Sequence, residues 1–171
     1  MSLRTDLEKL TDECWQNEYV KIKPLLTEAD LIYAGYDCEL TDEQKEFVNP
    51  FWFSIGRAYL FREDNYPCII YNMNNEPVGF INFGKWLGSG EAYTWSYFID
   101  KKHQGKGYGK QAAFLAVNIL KGANPNKCIK LATEIDNTKA QALYMSLGFV
   151  RLSEMDGDDV VFGLNEYVVK D

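Results

Sequence analysis

Histidine is nearly absent from this sequence, and its few cysteines are scattered. The chain contains one histidine, His103, so neither a zinc site built on several histidines nor a triad with a histidine base is expected. No CxxC pair or Cys/His cluster occurs, so we expect four reduced thiols and no bound metal. The cysteines are Cys14, Cys38, Cys68 and Cys128.

The sequence also lacks long apolar runs. No stretch approaches the ~20 residues that cross a bilayer, and residues 1–6 lack the apolar segment of a secretion signal. Hydrophobic residues make up 46% of the chain and charged residues 25%, which is typical of a globular protein and excludes a collagen-like or disordered chain. We therefore expect a cytoplasmic protein with a single domain over residues 1–171, of which residues 1–18 form a helical N-terminal extension.

Positive charge is in the minority and is concentrated in the middle of the chain. The net charge is −7, with −7 on residues 1–66, +5 on residues 67–130 and −5 on residues 131–171. An acidic protein is a poor partner for nucleic acid or for an anionic membrane surface, so we expect neither. The basic middle segment predicts an anionic ligand.

Hydrophobic patterning predicts a layered α+β (α/β layered) fold. Successive strands in the first half are joined without room for helices, so about seven strands should form a mixed, mostly antiparallel sheet flanked by helices. The predicted strands cover residues 19–24, 67–73, 77–83, 91–100, 128–134, 149–153 and 159–164.

Apolar residues three and four positions apart predict the helices. One begins at Thr41 as capping residue, another ends at Gly122, and a third begins with Thr138 as capping residue and ends at Gly148. The first of these helices should continue or kink at Pro50. Its apolar face is predicted to comprise Phe47, Val48, Phe51, Trp52, Ile55 and Tyr59.

A glycine-rich loop, residues 104–110, precedes the second of these helices. Lys110 stands where a dinucleotide-binding fingerprint needs a glycine, and Gln111 lacks the hydroxyl that ends a P-loop. Without Cβ atoms the backbone can approach a ligand closely, and the first N–H groups of a helix attract anions. With Lys101, Lys102 and Lys106 nearby, the loop predicts a pyrophosphate site.

Two motifs resemble those of the GNAT superfamily of N-acetyltransferases. The segment Gln104-x-x-Gly107-x-Gly109 resembles the acetyl-CoA motif of that superfamily. A second group of residues, further downstream, resembles another signature of the superfamily: Asn137, Ala140, Leu143-Tyr144 and Leu147-Gly148-Phe149. The resemblance covers about residues 19–168.

More narrowly, the chain looks like the bacterial diamine/polyamine (spermidine/spermine) acetyltransferase branch. It departs from that branch on the substrate side, at Ser96 and near Phe51. The segments that carry the likeness are Tyr66-Pro67, Ile70-Tyr71, Pro77-Val78-Gly79-Phe80, Ile99-Asp100 and residues 104–109.

The resemblance implies acetyl-CoA as cosubstrate. Backbone amides of the glycine loop would hold the pyrophosphate, and the end of the preceding strand would pair with the pantetheine arm. A bulge in that strand would free an N–H of Phe98 or Ile99 to polarise the acetyl carbonyl. The implied binding residues are Phe98, Ile99, Gln104, Gly105, Lys106, Gly107, Tyr108, Gly109, Lys110, Asn137 and Tyr144.

Acetyl transfer to an amine also needs an acid and a base. The resemblance makes Tyr144 the acid that protonates the departing thiolate, although its spacing also fits the apolar face of a helix. A primary ammonium has a pKa near ~10.4, so a carboxylate must accept its proton directly or through water. Glu134 is the candidate base, with Glu91 and Asp100 as alternatives.

The expected reaction is direct attack of a primary amine in a ternary complex, with a small cationic polyamine or diamine as acceptor. The alternatives are a protein N-terminus or lysine, an aminoglycoside, and a non-catalytic sensor of acyl-CoA. The hairpin from Asp156 to Asp159 and the strand edges are candidate homodimer contacts. Candidate groups for binding the amine are Asp37, Glu39, Asp42, Glu43, Trp52, Trp86, Tyr93, Trp95 and Tyr97.

Overall fold

The computed structural model of the protein describes residues 1–165 and contains a seven-stranded sheet. The strand order is β1-β2-β3-β4-β5-β7-β6, and within the described residues the one parallel pair is β4 with β5. This confirms the predicted mixed, mostly antiparallel α+β fold. The strands are β1 (Val20–Pro24), β2 (Asn65–Asn72), β3 (Pro77–Lys85), β4 (Ala92–Ile99), β5 (Cys128–Thr133), β6 (Val150–Asp156) and β7 (Asp159–Leu164).

Helices cover both faces of the sheet. None of the helices in residues 1–165 has the length and apolarity needed to cross a membrane. The α-helices are α1 (Leu3–Leu7), α2 (Glu28–Ile32), α3 (Asp42–Phe47), α4 (Phe51–Leu60), α5 (Tyr108–Ala123) and α6 (Thr138–Ser146). Shorter turns are the 3-10 segments Asp12–Trp15, Arg62–Asp64 and Lys101–His103, and the π-helical segment Tyr33–Asp37.

The main core lies between the sheet and α5. Leu115, Ile119 and Leu120 of α5 are almost completely buried against apolar side chains of the strands. Burying one such side chain is worth about 1.5–3 kcal/mol. A smaller cluster, which includes Ile69, Phe80 and Phe98, fills the opposite face beneath α2 to α4. The larger core therefore fixes α5 and the loop that precedes it.

The first residues of the chain are part of this core. Helix α1 buries Leu3 and Leu7 against the α5 side of the sheet. Asp6 is also buried and accepts hydrogen bonds from Tyr93 Oη at 2.5 Å and from Asn124 Nδ2 at 3.2 Å. The predicted extension is thus helical only at Leu3–Leu7 and Asp12–Trp15. Helix α1 packs against the main core. The last six residues of the predicted domain, 166–171, lie outside the described part of the chain.

Three predictions about the helices are wrong. Pro50 is not a kink inside one helix, because α3 ends at Phe47 and α4 begins at Phe51. Trp52 and Tyr59 are exposed on α4, whereas they were expected on its apolar face. Asn137, not Thr138, caps α6, since its side chain accepts a hydrogen bond from Ala140 N.

Candidate active site

A cleft opens where β4 and β5 separate. The two strands pair only at Ala92–Cys128 and Tyr93–Ile129, after which β5 continues its pairing with β7 instead. The resulting gap is the mouth of a cavity of about 1010 Å³ lined by β4, α3, α4, the glycine loop and α6. Backbone groups on the open side of β4 therefore face space rather than a neighbouring strand.

The register of β4 decides which backbone groups face this gap. Trp86 N donates to Ala92 O, and Asp100 N donates to Val78 O, so even-numbered residues of β4 bond β3. In an antiparallel ladder the alternate residues, including Ile99, turn their backbone groups the other way. The Ile99 carbonyl accepts hydrogen bonds from Nε2 of Gln44 at 3.0 Å and of Gln104 at 3.1 Å.

This register corrects the expected bulge. The β3–β4 pairs run without a shift from Gly79–Ile99 to Lys85–Tyr93, so the predicted bulge is not found in these described strands. The free N–H of the strand end consequently belongs to Ile99, while the N–H of Phe98 is directed at β3. Because β5 diverges, this N–H faces no partner strand, so no bulge is needed.

The glycine loop has the backbone conformation that its sequence predicts. Gly105 and Gly107 have φ of +75° and +84°, in the left-handed region that disfavours a side chain. Gly107 is the N-cap of α5, and the first helical bond runs from Gln111 N to Gly107 O at 3.2 Å. The N–H groups of Tyr108, Gly109 and Lys110 precede this bond and form the positive end of the helix.

The lysines around the loop stand on its outer side. Lys101, Lys102, Lys106 and Lys110 are all exposed, and Lys102 lies 3.8 Å from a carboxylate oxygen of Glu39. None of the four lines the cleft itself. They therefore add positive potential around the backbone amides and leave the direct contacts to the loop.

Two tyrosines, Tyr144 and Tyr97, line the cleft. Tyr144 of α6 is half-buried, packs against Phe149 and Phe162, and lines the cleft. Burial raises the pKa of Tyr144 to about 12, so the hydroxyl keeps its proton at neutral pH. Burial, followed by the proximity of Tyr144, also raises the pKa of Tyr97.

Tyr97 has a structural role at the cleft that the sequence did not assign to it. Its hydroxyl donates a hydrogen bond to the carbonyl of Gly109 at 3.2 Å and so joins β4 to the first turn of α5. The alternation of Tyr93, Trp95 and Tyr97 placed it on one face of β4. That pattern could not indicate that its hydroxyl reaches the glycine loop.

Of the three candidate bases, Glu134 alone lines the cleft. It lies just beyond the end of β5 and is exposed. Glu91 forms an ion pair with Lys127 at the other end of the strand. Asp100 is buried and accepts a hydrogen bond from Lys102 N at 3.0 Å. Glu91 and Asp100 are therefore placed as structural acids.

The other predicted site residues divide between the cleft and the remaining surface. Asn137 lines the cleft, although its side-chain oxygen is used to cap α6. Trp52 and Tyr93 do not line the cleft. Nor do the acids Asp37, Glu39 and Asp42. Those that do line it are Glu43, Trp86, Trp95 and Tyr97. Glu46, Asp156 and Asp159 line it as well, although the sequence did not indicate them as binding residues.

Buried polar atoms without partners are concentrated in this cleft. Among the described residues, three buried side-chain atoms have no hydrogen-bond partner: Asn82 Oδ1, Trp95 Nε1 and His103 Nδ1. All three residues line the cleft. Native structures satisfy nearly all buried polar groups, so a cluster of exceptions is typical of a binding site.

The fold and the cleft between separated strands agree with the class of protein that the sequence motifs indicate, a transferase that uses an acyl-CoA cosubstrate. Residues 26–149 match the sequence profile of the Acetyltransferase (GNAT) family, which covers more than half of the chain. The chain therefore belongs to this family and is an acetyl-CoA-dependent N-acetyltransferase. No curated protein matches the sequence.

Solved structures with the same fold have diverged far in sequence. FdhC, a nucleotide-linked sugar GNAT, is 14% identical with a TM-score of 0.64, and the match covers 86% of each chain. An acetyltransferase from Agrobacterium tumefaciens is 15% identical with a TM-score of 0.59, covering 87% of this chain and 92% of that one. The aminoglycoside acetyltransferase AAC(6')-Ib with coenzyme A and kanamycin is 21% identical with a TM-score of 0.65, covering 84% and 92%. These similarities confirm the fold alone.

Proposed function

We propose that the protein transfers the acetyl group of acetyl-CoA to a primary amine of a small polyamine or diamine. The amine attacks the thioester directly while both substrates are bound. The observation that carries this proposal is the meeting, in one cleft, of the glycine loop, the open edge of β4 and the protonated Tyr144 hydroxyl.

The glycine loop is the proposed grip on the pyrophosphate of the cosubstrate. The N–H groups at the start of α5 are aligned with the helix dipole, and an anion placed there is stabilised. Gly105 and Gly107 allow the turn that aims these groups, because their positive φ values are costly for other residues. Lys106 and Lys110 raise the local positive potential, and Asn137 lines the neighbouring wall.

The open edge of β4 is the proposed guide for the pantetheine arm. Its backbone N–H and C=O groups facing the gap can bond an extended amide chain as a further strand would. The N–H of Ile99 is the donor placed to stabilise the oxygen of the acetyl carbonyl as it gains negative charge. Loss of one such donor costs typically ~10²–10³-fold in rate, so this contact is a large part of catalysis.

Two side chains complete the proposed proton transfers. Tyr144 donates its proton to the sulfur as the C–S bond breaks, since a pKa of about 12 keeps that proton available. Glu134, on the rim, receives the proton that the attacking amine releases, directly or through water. Both roles are assigned to groups that line the same cleft.

The acceptor is proposed from the charge of the cleft. Five acids line it, against three lysine or arginine side chains, and an acidic wall concentrates a cation. The acids are Glu43, Glu46, Glu134, Asp156 and Asp159, and the bases are Arg57, Lys85 and Lys139. An aminoglycoside is the second candidate, since it is also polycationic and AAC(6')-Ib, which shares the fold, is described with kanamycin.

A thiol-release assay tests this proposal. The protein is incubated with acetyl-CoA and, separately, spermidine, kanamycin or a lysine-containing peptide, and free coenzyme A is measured. We expect kcat/KM for spermidine to exceed that of the peptide by at least ~10-fold. A higher value for kanamycin selects the second candidate, and a higher value for the peptide selects protein acetylation. Tight acetyl-CoA binding without turnover of any amine would instead identify a sensor.

A further inference from the structure

We propose that the side-chain carbonyl of Asn82 accepts a hydrogen bond from an N–H group of the acceptor. Asn65 fixes the orientation of this carbonyl. Asn82 lies on β3, is only 7% exposed and lines the cleft. Its Oδ1 is buried and lacks a hydrogen-bond partner among the described residues. This inference rests on the proposed function, since it concerns the amine that the reaction consumes.

A chain of hydrogen bonds fixes which end of the Asn82 amide faces the cleft. Asn65 Nδ2 donates to the carbonyl of Phe61 at 3.0 Å, so Asn65 must present its Oδ1 to Asn82. Asn82 Nδ2 donates to that oxygen at 3.1 Å. Turning the Asn82 amide over would bring two oxygens together and lose this bond. The carbonyl is therefore held away from Asn65 and without a partner.

The cleft residues near Asn82 have small side chains. Ser96 stands opposite Asn82 in the β3–β4 register and is exposed. Gly84 follows two positions along β3, on the same face. Ser54 of α4 also lines the cleft. A large residue at position 96 would compete for this space, whereas serine leaves it open.

The chemistry of the site selects a hydrogen-bond donor. A carbonyl oxygen accepts and cannot donate, so it favours a group that carries N–H. Arg57 and Lys85 also line the cleft. Because Asn82 is uncharged, it forms no ion pair with either of them, and its oxygen can accept from a nitrogen of the ligand. Polyamines and amino sugars both offer such nitrogens, and the experiment separates the two sources.

Kinetics of Asn82→Leu test the proposal with spermidine and kanamycin as probes. We expect KM for the probe that the enzyme acetylates to rise at least ~10-fold, with kcat changed less than ~3-fold and acetyl-CoA affinity unchanged by calorimetry. The control is Asn72→Leu, because Asn72 is also buried but bonds Glu76 in the β2–β3 turn. An amine KM that stays within twofold in Asn82→Leu, or that rises equally in Asn72→Leu, would overturn the assignment.

A binding measurement separates this inference from the proposed function. The side-chain NH₂ signal of Asn82, identified by its loss in Asn82→Leu, is followed by NMR while spermidine or kanamycin is added to the coenzyme A complex. A shift with either probe supports the subsite even if no acetyl transfer is detected, in which case only the proposed function fails. Unmoved Asn82 signals with both probes would overturn the subsite even if turnover is present.

Discussion

The half of the molecule from β4 to α6 and the half formed by α2 to α4 are built in different ways. In the first, backbone groups form the proposed cosubstrate site: glycines with positive φ, the start of a long buried helix and a strand edge that β5 leaves unpaired. In the second, short helices of five, six and ten residues present side chains, and Trp52 and Tyr59 stay exposed. Backbone recognition suits a cosubstrate common to a family, while side-chain recognition can change with each acceptor.

The largest effect is expected at the centre of the β4–α6 half. Tyr144→Phe should lower kcat by roughly 10²-fold, because the departing thiolate loses its proton donor. Acetyl-CoA affinity should change little, as calorimetry would show. Since burial raises the pKa of Tyr144 to about 12, the ratio of wild-type to variant kcat should be constant from pH 7 to about 10. Equal kcat values for the two proteins would remove Tyr144 from the mechanism.

The next largest effect is expected on stability, where Asp6 anchors α1 to this half of the molecule. Burial opposes ionisation of Asp6, but hydrogen bonds from Tyr93, Asn124 and Lys9 outweigh it and lower its pKa. Asp6→Asn should reduce the free energy of unfolding by about 1–3 kcal/mol at pH 7, as measured with urea.

The pH dependence of the Asp6 effect has a definite sign. A lowered folded pKa gives stability that is complete above the unfolded value of about 3.9 and is lost as pH falls through the folded value. The difference between wild type and Asp6→Asn should therefore shrink below about pH 4. A difference that grows on acidification would contradict the role given to this carboxylate.

A glycine substitution tests whether backbone conformation defines the cosubstrate site. Gly107 has φ of +84° and open space where a Cβ would stand, so Gly107→Ala strains the backbone without a clash. The left-handed region costs an L-residue roughly 1–2 kcal/mol, so we expect ~10-fold weaker acetyl-CoA binding. Gly56→Ala is the matched control, because Gly56 lies in α4 with equal space and no positive φ. Similar acetyl-CoA affinities for the two variants would contradict a backbone-defined site.

The smallest effect is expected where the two halves touch. Lys139 of α6 lies 3.2 Å from a carboxylate oxygen of Glu43 of α3, and both side chains are largely exposed. Exposed ion pairs contribute little and are screened by salt, so Glu43→Gln should change KM for acetyl-CoA or amine less than ~3-fold. Lys139→Gln should have the same effect, which should disappear near 1 M salt. A large, salt-resistant loss would instead show that the halves are coupled through this pair.

The glycine loop and the helix after it were predictable because their cause is local. Positive φ at Gly105 and Gly107 is a property of the residue type, and α5 follows from apolar spacing over four turns. The effect of Pro50 was not predictable locally, because a helix can accommodate a residue without an N–H either by kinking or by ending there. The exposure of Trp52 depends on how α4 sits on the sheet, which no local pattern records.

The candidate site was only partly predictable. Sequence motifs placed Tyr144 and the loop in one site, but could not rank Glu134 above Glu91 and Asp100, because that ranking depends on which acids line the cleft. The bond from Tyr97 to Gly109 joins two elements whose meeting depends on the packing of α5 against β4. Cytoplasmic location, single-domain organisation and homodimer formation stay predictions.

The amino-acid sequence by itself determined the order of the strands, the glycine turn before α5 and the family, because each depends on residue type and short spacing. Tertiary structure decided which N–H of β4 is free, which acid stands on the rim, and that the Asn82 carbonyl is buried without a partner. The physical reason is that these properties belong to pairs of segments, such as β4 with β5 or Asn65 with Asn82. Long-range register and burial, rather than local propensity, set them.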